Sequence, residues 1–252
     1  MKLNSKCRLI LLILLSAFVV SCSPWYIHEP RNNCTVCHGT RKQRGFSAPT
    51  RLIAGVPKLC YDCHTDYTIS APFVHGPVAV GQCLICHNPH KSKTKHLLKE
   101  PEPKLCYQCH DITPYTVSAP FVHGPVAVGQ CLLCHNPHQS KTEHLLKEPE
   151  PELCHQCHDI TDDPVSAPFV HGPVAVGQCL ICHNPHKSKT EHLLKEPEPE
   201  LCYQCHIVKE IEIIPAHLTK LSYVCTDCHE AHASSIKYLL KVLPSSDLRR
   251  TR

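Results

Sequence analysis

The sequence predicts a mostly irregular chain with short α-helices and little or no β-sheet, organised as a tandem repeat. Three observations predict it. Prolines number 23 in 252 residues, and each fixes φ and removes a backbone donor, which interrupts long helices and central strands. A unit of 48 residues recurs as Ser70–Val117, Ser118–Val165 and Ser166–Ile213, a length that signals stacked units unable to bury a core alone. Finally, 18 of the 20 cysteines fall in nine copies of Cys-x-x-Cys-His.

In chain order, residues 1–21 read as an export signal. Lys2, Lys6 and Arg8 form a basic start, and Leu9–Val20 is an apolar run of 12 residues. A membrane span needs about 20. The run ends in Val19-Val20-Ser21-Cys22, which resembles a lipoprotein signal-peptidase site with Cys22 as the lipidated residue. Ordinary secretion, with Cys22 a spare thiol, and an uncleaved anchor are the alternatives. Cys7 lies within the signal and is lost on maturation.

Residues 22–69 form a degenerate first unit with two motifs, the first followed by Gly39-Thr40. Units 70–117, 118–165 and 166–213 each read Ser-Ala-Pro-Phe-Val-His-Gly-Pro-Val-Ala-Val-Gly-Gln, a first motif, Asn-Pro-His, a Lys/Ser/Thr stretch, His-Leu-Leu-Lys-Glu-Pro-Glu-Pro and a second motif. Residues 214–252 hold one motif and a basic tail. Short helices are expected at the motifs, for example around Glu152–His158 and Glu200–His206.

The motif has a defined chemistry. Its two thiols can add across the vinyl groups of a porphyrin, and the adjacent histidine reaches the iron; this is the attachment motif of c-type haem. The thiols are Cys34 and Cys37, Cys60 and Cys63, Cys83 and Cys86, Cys106 and Cys109, Cys131 and Cys134, Cys154 and Cys157, Cys179 and Cys182, Cys202 and Cys205, and Cys225 and Cys228. The motif histidines are His38, His64, His87, His110, His135, His158, His183, His206 and His229. Zinc knuckles and a disulfide framework are the competing readings, but neither needs a histidine directly after every second cysteine. Nine covalent haems are therefore expected, attached outside the cytoplasm. Few residues remain per haem, so the porphyrins must supply most of the interior.

The remaining 13 of 22 histidines sort by position. His75, His123, His171 and His217 stand eight residues before a motif, and His28 stands six before the first. His90, His138, His186 and His232 stand three after a motif histidine. These nine match nine irons and argue for histidine at both axial positions. The first unit offers one such residue for two haems and the last offers two for one, so ligands must cross between units. The runner-up set is His96, His144 and His192, whose other readings are propionate hydrogen bonding or solvent exposure. Tyr238 stands at that place in the last unit, and His155 reads as a surface residue. Methionine ligation is excluded because the sole methionine is Met1. All-histidine ligation implies low potentials, since methionine ligation raises them, and no open coordination site for a substrate. No catalytic residue is expected.

The formal net charge of +4 becomes +1 without Lys2, Lys6 and Arg8. With the propionates of nine haems ionised, the holoprotein is at about −8 oxidised and −17 reduced. Nucleic-acid binding is excluded, and the interspersed Lys and Arg read as propionate partners.

The segment Val-His-Gly-Pro…Cys-x-x-Cys-His-Asn-Pro-His…Leu-Leu…Leu-Cys-x-x-Cys-His, over about residues 47–240, resembles the multihaem c-type cytochromes with doubled Cys-x-x-Cys-His motifs. The resemblance implies a tandem-repeat cytochrome fold organised around stacked haems and a role as electron conduit in anaerobic, often extracellular, respiration. The partners it implies are other redox proteins, including cytochromes and outer-membrane porin–cytochrome complexes, a membrane reached through a lipid anchor, and self-assembly into filaments. A terminal reductase with one open haem is the rival of another class.

Overall fold

The computed structural model describes residues 26–28, 34–40, 52–110, 119–158, 167–218 and 224–241. The expected signal, Cys22 and the basic tail lie outside them. The chain divides into two compact units, Met1–Thr65 with Val80–Leu105, and Asp66–Ala79 with Cys106–Arg252. Among the described residues no helix is long and apolar enough to cross a membrane.

Helices are one turn long and sit where the motifs are. They include Thr35–His38, Lys58–Tyr61, Cys83–Cys86, Glu152–His155 and Glu200–Tyr203. Where a motif is not α-helical it forms a 3-10 turn, as at Cys131–Leu133, Cys179–Ile181 and Cys225–Asp227. In both forms a single turn spaces the two cysteines three residues apart on one face. The Gly-Pro-Val-Ala segments form the helices Gly76–Ala79, Gly124–Ala127 and Gly172–Ala175. Proline in the first turn starts the last two because its missing N–H is not needed there.

Sheet is confined to antiparallel ladders of two residues per strand. In the first unit β1 (Tyr26–Ile27) pairs with β3 (Lys91–Ser92). In the second, β2 (Phe73–Val74) pairs with β5 (Gln139–Ser140), β4 (Phe121–Val122) with β7 (Lys187–Ser188), and β6 (Phe169–Val170) with β8 (Ala233–Ser234). Each ladder joins a two-residue strand of one unit, Phe-Val in the three repeats and Tyr26-Ile27 in the first unit, to the segment after the histidine that follows the next first motif. That exchange is why Asp66–Ala79 belongs to the second unit although residues 80–105 of the same repeat belong to the first.

A turn recurs after each first motif. His96 and Leu97 have φ of 58° and 55°, and the same left-handed pair recurs at His144 and Leu145, His192 and Leu193, and Tyr238 and Leu239. Two successive left-handed residues make the tight reversal used in β-hairpins, here closing bridges such as His87 to Leu98 and His183 to Leu194. Non-glycine side chains pay about 1–2 kcal/mol per residue for that conformation, and the surroundings must hold it in place. A buried serine does so. The Ser188 hydroxyl donates to the Leu194 carbonyl, and its oxygen accepts from the Thr190 N–H at 2.9 Å. Ser92, Ser140 and Ser234 repeat the arrangement.

The polypeptide has almost no core of its own. Among the described residues the buried apolar side chain is Ala233, and the buried polar ones are Ser92, Ser188 and Ser234. Large apolar side chains, among them Val80, Val128 and Val176 at one repeat position, stay about two-thirds exposed. That surface needs another apolar body to cover it.

Candidate haem sites

The structure sorts the histidines into pairs of one motif residue and one residue from outside the motifs. In the first unit His28 faces His64 with ring centroids 5.8 Å apart, and His90 faces His38 at 5.9 Å. In the second, His75 faces His110 at 5.9 Å, His123 faces His158 at 5.8 Å and His171 faces His206 at 6.0 Å. There too His186 faces His135 and His232 faces His183, both at 6.0 Å, and His217 faces His229 at 6.2 Å. Of the eighteen histidines expected as ligands, His87 and His138 make other contacts. His87 is held by its Nδ1 on the His96 carbonyl, and the His138 ring stacks on Tyr67 at 4.6 Å.

These separations test whether a haem iron fits. A metal–imidazole bond of about 2 Å on each side, plus about 1 Å from nitrogen to ring centre, puts the centroids about 6 Å apart. All eight pairs lie between 5.8 and 6.2 Å. The 4.6 Å of Tyr67 on His138 is what direct contact gives. The residues fit the group, with Nε2 of each ring as the donor.

Hydrogen bonds on Nδ1 leave that Nε2 available. A carbonyl can only accept, so each such Nδ1 carries the proton. Among motif histidines, Nδ1–H of His87, His135, His183 and His229 donates to the carbonyls of His96, His144, His192 and Tyr238, each at 2.9 Å. These are the left-handed residues of the recurring turn. The residues His96, His144 and His192 therefore act through their backbone, which explains why Tyr238 can replace them in the last unit. Among the histidines outside the motifs, His75 donates to the Pro137 carbonyl at 2.9 Å, His171 to that of Ala231 at 3.0 Å and His217 to that of Ile211 at 3.1 Å.

The non-motif histidines are fixed through the main chain as well. Asn88, Asn136 and Asn184 accept from the N–H of His90, His138 and His186 at 3.1 Å, the Asx turn that an Asn-Pro-His sequence favours. The N–H groups of His75, His123 and His171 bond to the carbonyls of His138, His186 and His232. Each such bond ties two histidines of successive repeats together. Burial, and then the neighbouring His135 and His123, hold His186 below its ordinary value; burial, His183 and His171 do the same for His232. Both rings are thereby kept neutral, as a ligand must be.

The grouping by offset hid a difference. His75, His123 and His171 face the second motif of their own repeat, but His217 faces the motif directly after it. Its ring comes from the helix Pro215–Leu218 and is held by the Ile211 carbonyl of the helix Val208–Glu212, a pair of helices that takes the place of a following repeat.

The cysteines cluster across motif boundaries. Cys60 is hydrogen-bonded to Cys83, Cys154 to Cys179 and Cys202 to Cys225. Before haem is attached, burial and these thiol neighbours push Cys154 up to about 11 and Cys202 up to about 12, which favours the protonated thiol. Two carboxylates that sequence reasoning missed clip these junctions. Glu150 accepts from the Leu180 N–H at 2.7 Å, and Glu198 accepts from the N–H and hydroxyl of Thr226 at 2.9 and 2.8 Å. Their position, always before a proline in a cis bond, is a repeated signal that could have found them. In the second unit, an open cavity of about 1010 Å³ lies between Ser70–Phe73 and the turn His144–Glu150, at the upper end of ordinary cofactor sites.

Repeated pairs of thiols on one turn, each followed by a histidine set opposite a second imidazole at metal-bridging distance, define a protein that holds haem covalently. The doubled CXXCH motif family matches residues 75–113, 123–163 and 171–210, and the chain is a multihaem c-type cytochrome of that doubled-motif kind. No curated protein matches it significantly. Its cofactor is haem c, its general role is electron transfer, and cytochromes of this kind are usually exported.

Proposed function

We propose that the chain is a nonahaem electron-transfer protein, low in potential, with histidine at both axial positions of its irons and no catalytic site of its own. The observation that carries the reading is the set of eight pairs, each combining a motif histidine with one from outside the motifs. Bound haem supplies the one-electron couple of its iron. The chain's own residues hold each imidazole in one tautomer, fix its direction through carbonyl and Asx hydrogen bonds, and bring successive motifs together at their cysteines. Ladders of β-pairing carry that order from repeat to repeat. Export, lipidation at Cys22 and attachment to the outer membrane complete the proposal, with other redox proteins as donors and acceptors.

The test is a holoprotein mass together with an electron paramagnetic resonance spectrum. Nine haems, all low-spin, are expected. A high-spin ferric fraction that binds cyanide or nitrite would sink the closed-ligation reading in favour of a terminal reductase. Release of the protein from the membrane fraction by Cys22→Ala checks the anchor, and retention there would remove it.

A further inference from the structure

We infer that the three N-terminal haem sites, on His38, His64 and His87, take up electrons before the six that follow, because each lacks one of two electron-donating features: the junction carboxylate at His64 and His87, and a carbonyl on Nδ1 at His38. The inference rests on the proposed haem ligation.

The first feature is the junction carboxylate. Within the second unit, the reactive atoms of Glu198, Cys202 and Cys225 lie within 4.8 Å of one another, so one negative charge sits beside the sulfurs that attach two haems. Glu150 takes the same position, with its carboxylate on the N–H that follows Cys179, and its charge reaches both Cys154 and Cys179. Glu102 stands there in sequence, again before a cis-bonded proline. The first unit has Val56. The equivalence is structural: Val56-Pro57 is also cis, and Pro57 packs against Gly81 as Pro151 packs against Gly177. Cys60 meets Cys83 at this junction as Cys154 meets Cys179, but the acid is missing. A nearby negative charge favours the ferric state, so a junction without it holds an electron more tightly.

The second feature is the carbonyl on Nδ1. His87, His135, His183 and His229 donate to the turn carbonyl, and such a bond raises the basicity of the ligand and favours ferric iron. The first unit lacks the His-Leu-Leu segment after His38, and His38 Nδ1 is buried with no hydrogen-bond partner among the described residues. A weaker donor again favours the reduced state. The intervening sequence points the same way, since residues 39–58 carry Arg41, Lys42, Arg44, Arg51 and Lys58 and no acid.

Both effects act at the same end of the chain, the end nearest Cys22. An electron lost from a repeat site is one gained at the N-terminal sites, with no proton needed for balance. The repeats thus form a uniform ladder and the first unit its sink.

The experiment is a spectroelectrochemical titration of the full holoprotein, following the low-spin haem band, with Val56→Glu, Val56→Gln and Glu198→Gln. Val56→Glu should pull the first-reduced part of the curve to lower potential. The expected change is about tenfold in electron occupancy at the two junction sites, or about 59 mV for a one-electron couple. Val56→Gln should leave the curve in place, and Glu198→Gln should raise part of the later-reduced fraction. If Val56→Glu leaves the first-reduced part unmoved, or if Val56→Gln moves it equally, the inference is overturned. Should Glu198→Gln fail to fold, the Val56 pair decides alone. A wild-type spectrum with high-spin haem would instead indict the ligation reading, a separate failure with a separate signature.

Discussion

His144 and His186 are both outside the motifs, yet they meet His135 by different atoms. His144 offers its main-chain carbonyl to His135 Nδ1, and His186 sets its ring 6.0 Å from the same imidazole. Substitution should therefore separate them. His144→Ala keeps the carbonyl and should leave haem content and the low-spin spectrum unchanged. His186→Ala should convert one haem to a high-spin, cyanide-binding form, read by paramagnetic resonance. A high-spin haem in His144→Ala would contradict the assignment of its role to the backbone. Acid makes the same point without mutation. His186 and His232 titrate below their ordinary value because burial and neighbouring histidines disfavour the charged ring. The native state thus binds fewer protons than the unfolded chain, and stability from these groups is present above the ordinary histidine value of about 6.5 and is lost as pH falls through the depressed one. Acid titration of the holoprotein should show low-spin haem giving way on the acid side of about 6.5; loss beginning on the alkaline side would reverse the sign.

At the scale of elements, the turn after each first motif is the part whose conformation is hardest to keep. Two left-handed non-glycine residues must be held so that one carbonyl reaches a ring nitrogen. Ser188 holds one such turn with two hydrogen bonds while itself buried. Ser188→Ala should lower holoprotein stability by about 1–3 kcal/mol, seen as a lower melting temperature by Soret circular dichroism. Gly177 pins a different place, the junction with the preceding motif. Its φ is +71°, and a Cβ there would stand 2.5 Å from the ring of Pro151, so Gly177→Ala should cost about 1–3 kcal/mol or more. A melting temperature equal to wild type in Ser188→Ala would show that the turn is held without its serine, and one equal to wild type in Gly177→Ala would show that the Pro151 contact does not constrain that position.

The sequence made some of this legible and hid the rest for identifiable reasons. Motif spacing marks the cysteines outright, because covalent attachment requires that spacing and that histidine. Counting outside the motifs marks His28, His75 and His90, which the structure sets opposite His64, His110 and His38. Offset does not reveal partners, because a histidine 35 residues from its partner and one 12 residues away can share the same distance to the next motif. Nor does residue type reveal that His96 acts through a carbonyl, since any residue has one. The ladders are two residues long, too short for alternation to register.

At the scale of the whole molecule, the question is what closes the two ends of an array whose histidines pass from repeat to repeat. An open exchange of this kind would continue from molecule to molecule. In sequence the first unit has no Asn-Pro-His to offer a preceding copy, and the last has no Phe-Val-His-Gly to receive a following one. His28 supplies the ring for His64 behind its own strand β1, and His217 supplies the ring for His229 from the helix Pro215–Leu218. At the two ends of the array His28, His90 and His217 thus face motif histidines of their own chain. His217→Ala should open one iron and no more. The variant should bind one equivalent of cyanide or added imidazole, keep its full haem mass and remain the same size by light scattering. Growth into oligomers on loss of His217 would mean that a second copy can supply the missing ring, and the terminal helices would then be a lock on assembly as well as a ligand source.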